Sequence, residues 1–296
     1  MTRVRRGARW LRYCPSVPRI RATDGTDIAY EAWGPSDGEP LLLVMGLGAD
    51  TRAWVFQRLA FGRRYRCIAF DNRGAGHSGS PPGPYSLEQM ARDAVSVLDA
   101  EGIDEAHVLG ASMGGVIAQI LAVRHADRVR SLVLSCTACR HHDWRRDLLA
   151  EWERVAREDG TAHLGPAALR WLIGPRIQRR FGVWLNLLAP IVMSQPGDGF
   201  ANQARAILDM PDEMRDELPA VRVPTLVVVG SQDTLTPVGD SEELAERIPG
   251  ARLHVIGGAA HGVMAEAPGA FNEVVLDFLG GVTAPALPLA PSEATG

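Results

Sequence analysis

The chain reads as an α/β protein: a mostly parallel, twisted sheet flanked by helices, with a helical segment inserted into it. Three observations predict this. Short apolar runs at 41–45, 66–70, 106–109 and 132–136 alternate with helix-like stretches, and the alternation resumes at 225–229 and 252–256. Between about 137 and 221 strand-like runs vanish and amphipathic helical patterns take over. The five residues Gly110-Ala111-Ser112-Met113-Gly114 join an apolar run to a helical one through a very tight turn with serine at its apex.

Each element has its own signal. Residues 19–23 and 27–33 read as a hairpin around Asp24-Gly25. The run 41–45 is a buried strand ended by Gly46-Leu47-Gly48, and a helix is expected over 51–60. Strand 66–70 leads into the loop 71–79, where Asp71 is expected to pair with Arg73. Ser86 with Gln89 three residues later is a capping box that starts the next helix. After the serine turn, a helix covers 116–123. The insertion carries helical patterns at 143–158, 166–172, 176–188 and 200–210, and four of the seven tryptophans: Trp144, Trp152, Trp171 and Trp184. Helices at 241–247 and 268–279 complete the alternation. The chain thus divides into a basic, flexible arm (1–18), an α/β core (19–136 and 222–280), a helical insertion (137–221) and a Pro/Ala-rich tail (281–296) expected to be disordered.

Composition narrows the function classes. The 296 residues, 46% of them apolar, suffice for one large core. A net charge of −4 gives no case for nucleic acid as a partner. All 31 basic residues are arginine, so chemistry that needs a lysine amine is excluded, including Schiff bases and the phosphate-cradling lysine loop. Cys136-Thr137-Ala138-Cys139, followed by His141 and His142, lacks a second ligand pair at metal-binding spacing, so no metal is expected. Gly74-Ala75-Gly76-His77-Ser78-Gly79 imitates a dinucleotide fingerprint, but Ser80-Pro81-Pro82-Gly83-Pro84 follows where a helix must start. No cofactor is expected. No apolar leader follows the basic N-terminus, and the longest nearly apolar stretch, 181–193, is too short to span a bilayer. A cytoplasmic protein without a membrane span is expected, its oligomeric state open.

A strained serine at a strand–helix turn exposes its hydroxyl in front of helical N–H groups, where an oxyanion would be stabilised. A serine alcohol needs a base, and the base an orienting acid. In an open parallel sheet these groups sit in loops after the strands. That rule selects His261, five residues after strand 252–256, over the strand, helix and insertion histidines, with His77 a weaker competitor. It selects Asp233, after strand 225–229, as the acid, with Asp143 and Asp71 as competitors.

The order Ser…Asp…His resembles that of capped α/β-hydrolases. The resemblance rests on Gly46-Leu47-Gly48, Asp71-x-Arg73-Gly74-x-Gly76-x-Ser78, Gly110 to Gly115, Pro224-Thr225-Leu226 with Gly230-x-x-Asp233, and His261 with Glu266-Ala267-Pro268. It spans about residues 20–280. It implies Ser112, Asp233 and His261 as catalytic residues, and the backbone N–H groups of Leu47 and Met113 as the oxyanion hole. The family usually has His-Gly before its first oxyanion residue; this chain has Met45-Gly46, a variant similar to aclacinomycin methylesterase-like enzymes. The implied activity is hydrolysis of an ester or lactone of a small, mainly apolar molecule through an acyl-enzyme. Carbon–carbon hydrolysis, acyl transfer and cofactor-free perhydrolysis use the same triad, and a non-catalytic ligand receptor uses the same fold. The insertion is expected to roof the pocket, with Trp184 and Leu187 lining it.

Overall fold

The computed structural model describes residues 17–192, 197–211 and 214–283. Most of the expected N-terminal arm, up to residue 16, and the tail from 284 lie outside the described residues.

Among the described residues eight strands form one sheet: β1 (Arg19–Arg21), β2 (Asp27–Trp33), β3 (Glu39–Val44), β4 (Tyr65–Phe70), β5 (Ala106–Ala111), β6 (Val129–Ser135), β7 (Thr225–Gly230) and β8 (Arg252–Ile256). Their spatial order is β1-β2-β4-β3-β5-β6-β7-β8. The β1–β2 and β2–β4 pairs are antiparallel and every other pair is parallel. The central strands are apolar without alternation because both faces are covered: Leu41, Leu42, Leu43 and Val44 are all buried, as are Val227, Val228 and Val229. One face packs α2 (Leu87–Ala100) and α3 (Met113–Arg124), and the other packs α11 (Pro268–Thr283).

The capping box at Ser86 forms in part. The Ser86 side chain accepts from Gln89 N–H at 3.2 Å, while the Gln89 side chain donates to Asp24 rather than back to Ser86. The helix expected over 51–60 does not form as one element. The chain makes a 3₁₀ turn (Thr51–Trp54) and then a short α1 (Arg58–Phe61), because the Asp71 carboxylate takes Thr51 N–H and Asp50 caps the turn through Arg52 N–H. That same use of Asp71 overturns its expected pairing with Arg73. Asp71 accepts from Thr51 and His77 N–H, whereas Arg73 pairs with Asp93 and Asp24.

Among the described residues between β6 and β7 the regular elements are helical: α4 (Asp143–Glu158), α5 (Gly165–Leu172), α6 (Pro175–Val192), α7 (Gly197–Leu208) and α8 (Met214–Glu217), along with short 3₁₀ turns. Then α9 (Val238–Arg247) and the short α10 (Val263–Glu266) flank β8. Helix α11 continues to Thr283, past the expected start of the tail at 281. Among the described residues no helix is long and apolar enough to cross a membrane.

Candidate active site

The turn after β5 is as tight as its glycines imply. A Cβ on Gly110 would collide with the Gly114 carbonyl, and one on Gly114 with the Val44 carbonyl. Ser112 sits at φ 54°, ψ −120°, a conformation that costs on the order of 1–3 kcal/mol in a non-glycine residue. It is held by its N–H donating to Ser135 O and by Thr137 Oγ1 donating to its carbonyl at 2.8 Å. The hydroxyl is thereby fixed at the C-terminal edge of the sheet, over the start of α3.

Two loops from the far end of the chain meet it. His261 Nε2 lies 3.0 Å from Ser112 Oγ, and His261 Nδ1 lies 2.9 Å from Asp233 Oδ2. His261 and Asp233 are buried, and Ser112 is half-buried. The sequence-predicted Ser112, Asp233 and His261 therefore form one hydrogen-bonded chain across 149 residues of sequence. Of the competing acids, Asp71 accepts from Thr51 and His77 N–H, and Asp143 opens α4.

Asp233 is fixed more firmly than one partner requires. Its carboxylate accepts from Leu235 N–H, Thr236 N–H and Thr236 Oγ1. Burial alone would raise this carboxyl, but the His261 charge and hydrogen bond, with those from Thr236, outweigh burial and hold it below the usual carboxylate range. The imidazole thus faces an acceptor that stays ionised. Thr236 Oγ1 also lies 3.1 Å from His261 Nδ1. Glu266 steadies the same loop: it accepts from Ala260 N–H at 3.1 Å and from Gly174 N–H of the insertion at 3.0 Å.

The loop Gly46-Leu47-Gly48 faces Ser112 closely enough that a Cβ on Gly46 would stand 3.0 Å from the Ser112 Cβ. Both of its ends are tied. Asn72 Nδ2 donates to Met45 O at 2.8 Å, and Gly48 N–H donates to Gln203 Oε1 at 2.8 Å. Leu47 N–H and Met113 N–H meet no acceptor among the described residues. The unusual Met45 contributes its carbonyl to this brace and lines the cavity.

Ser112 and His261 open on a cavity of about 410 Å³ between sheet and insertion. Its roof comes from Leu149 and Trp152 of α4, Leu172 at the end of α5, and Phe200 and Ile207 of α7. Trp184 and Leu187 do not line it. They are 64% and 63% exposed on α6, which packs on α5. The residues that do line it were legible as a stripe: 145, 149 and 152 recur at helical spacing on one face of α4. Nothing in the sequence alone said which of the four amphipathic patterns of the insertion would face the cavity.

The donor atoms of Cys136, Asp233 and His261 lie within 4.8 Å of one another, the one such cluster among the described residues. Burial and the adjacent Asp233 push the Cys136 thiol well above its usual range, so it offers no ready thiolate. Burial pushes the Cys139 thiol up to about 12, and His142 is bonded to Asp240.

Comparison with known proteins decides the family. The sequence pattern of the alpha/beta hydrolase fold matches residues 39–166, and that of serine aminopeptidase S33 matches residues 196–268. A putative carbamate hydrolase RutD from Azorhizobium caulinodans is 35% identical over 86% of this chain and 95% of its own. The chain belongs to the α/β-hydrolase family. Within that family, this hydrolase is also 30% identical to 3-oxoadipate enol-lactonase 2 of Acinetobacter baylyi, over 83% of the hydrolase and 90% of the lactonase. The crystal structure of the enol-lactonase from Burkholderia xenovorans LB400 superposes on the hydrolase with a TM-score of 0.83 at 31% identity, covering 89% of this chain and all of that one.

Proposed function

We propose that this hydrolase opens a carboxylic ester or lactone of a small, mainly apolar molecule, with Ser112 as nucleophile, His261 as base, Asp233 as the acid that orients it, and Leu47 and Met113 N–H as the oxyanion hole. The observation that carries the reading is the continuous chain Ser112–His261–Asp233 at the floor of an apolar cavity. His261 Nε2 takes the hydroxyl proton as Ser112 Oγ bonds to the substrate carbonyl carbon. The negative charge moves to the carbonyl oxygen, which the Leu47 and Met113 N–H groups would hold. Collapse breaks the acyl C–O bond, and the leaving alkoxide takes the proton from His261. A water then loses a proton to His261 and attacks the acyl-enzyme; breaking the Ser112 ester returns that proton to Oγ and frees the acid. In a lactone, both products are parts of one molecule.

The relatives are named for an enol-lactone and for carbamate. Cavity size separates the two substrates: bare carbamate would leave most of a 410 Å³ apolar cavity without contacts, whereas an ester or lactone with a carbon skeleton fills it. A fluorophosphonate should label Ser112, and Ser112→Ala should lose ~10³-fold or more in kcat on p-nitrophenyl esters. Labelling at another serine, or an active alanine variant, would refute the assignment. Cleavage of diketones but not of esters or lactones would move the reaction to carbon–carbon bonds.

A further inference from the structure

The cavity wall carries a buried guanidinium among its apolar side chains. Arg145, 3% exposed, lines the cavity from α4 on the same face as Leu149 and Trp152. Its Nη1 donates to Arg140 O at 3.0 Å, and its Nη2 donates to the Asp240 carboxylate. Its Nε–H is buried with no acceptor among the described residues. Buried donors are almost always paired, and an orphaned one costs on the order of 1–3 kcal/mol. An N–H left over on a residue that lines the substrate cavity is explained if the substrate supplies the acceptor.

The surroundings specify what kind of acceptor. Asp240, 4% exposed, offsets the guanidinium charge and is itself met by His142 Nε2 at 3.1 Å. With its charge balanced, Arg145 presents a strong donor and not a free cation. A carboxylate brought into this cavity would face Asp240 behind the arginine and would lose its hydration among apolar side chains. A neutral carbonyl oxygen has neither handicap.

We infer that Arg145 is the polar specificity determinant of the cavity, its Nε–H binding an uncharged carbonyl oxygen that the substrate carries away from the scissile group. The substrate class is then an oxo-substituted ester or lactone without net charge. This deepens the proposed function and rests on the same cavity being the substrate site.

The test compares p-nitrophenyl 3-, 4- and 5-oxohexanoate with p-nitrophenyl hexanoate and with the hydrogen succinate ester. In the native enzyme one oxo ester should exceed hexanoate in kcat/KM by roughly 10-fold, the size of a hydrogen bond to a charged donor. In Arg145→Gln that ratio should fall to about 1; Arg145→Lys, which keeps a cation for Asp240 but has no Nε–H, should do the same. The native ratios carry the test even if a variant fails to fold: no preference for any oxo ester overturns the inference. So does preference for the succinate ester, or an oxo preference that persists in either variant. Binding is read separately, as the thermal shift that methyl 5-oxohexanoate and methyl hexanoate give Ser112→Ala protein. An oxo preference in binding without any ester turnover in the native protein keeps the role of Arg145 and removes the proposed chemistry. Turnover without an oxo preference does the reverse.

Discussion

Ser112 holds a positive φ because hydrogen bonds on both sides leave it no other choice, and Asp233 is pinned by three donors from the turn that follows it. The second of these has a consequence for pH. Asp233 has its folded-state pKa held below the unfolded carboxylate value of ~3.9. Its ionised form therefore adds stability that is fully present above that value and is lost as pH falls through the folded value. Asp233→Asn should flatten the acid limb of the stability curve below about pH 4, read from urea midpoints. It should also slow ester turnover, but less than Ser112→Ala does, because the amide still fills the space while offering the imidazole a weaker acceptor. An unchanged acid limb together with full activity would place the orienting acid elsewhere.

At the scale of elements, α7 does more than roof the cavity. Gln203 is fully buried and bridges two core loops: its Oε1 accepts from Gly48 N–H, and its Nε2 donates to Arg73 O at 2.7 Å. The loop that carries Leu47 is thus tied to the insertion. Gln203→Leu should lower kcat more than it raises KM, and should weaken binding of a trifluoromethyl ketone by about 10-fold or more, since that ligand samples the oxyanion position. Equal losses for a ground-state ligand would make Gln203 merely structural. Helices α4 and α6 make opposite predictions for their tryptophans. Trp152→Ala enlarges the cavity and should shift the preferred acyl length upward, each newly buried CH₂ being worth ~0.8 kcal/mol. Trp184→Ala, at an exposed position of α6, should leave the length profile unchanged. A shift with Trp184 and none with Trp152 would show that the substrate lies elsewhere.

Over the whole molecule, one arginine ties together segments remote in sequence. Arg73, 2% exposed, forks onto Asp93 of α2 with both bonds at 2.7 Å and reaches Asp24 of the β1–β2 turn at 2.8 Å, while its carbonyl accepts from Gln203. The same contact holds the Asp24 carboxyl well below its usual range. Removing the cation leaves Asp93 buried and unpaired, so Arg73→Met should cost about 3–5 kcal/mol in urea unfolding. The double variant Arg73→Met/Asp93→Leu should recover much of it, because the stranded charge is gone. A loss below about 1 kcal/mol in the single variant would show that water reaches the pair.

What short-range rules govern can be read from the residues alone. Apolar runs of strand length define the sheet, and Gly110 and Gly114 define the turn that Ser112 must occupy, since the contacts that forbid a side chain there come from the turn itself and the adjacent strand. Strand-end placement also singled out Asp233 and His261, because a parallel sheet sends every such loop to one edge. Whatever depends on which surfaces meet emerges only in the folded molecule. It replaced the expected 51–60 helix with a capped 3₁₀ turn, because Asp71 is brought to Thr51 from another loop. It gave Arg73 to Asp93 and Asp24 instead of Asp71. It turned α4 toward the cavity and left Trp184 and Leu187 outside, because an amphipathic helix records that one face is buried but not against what.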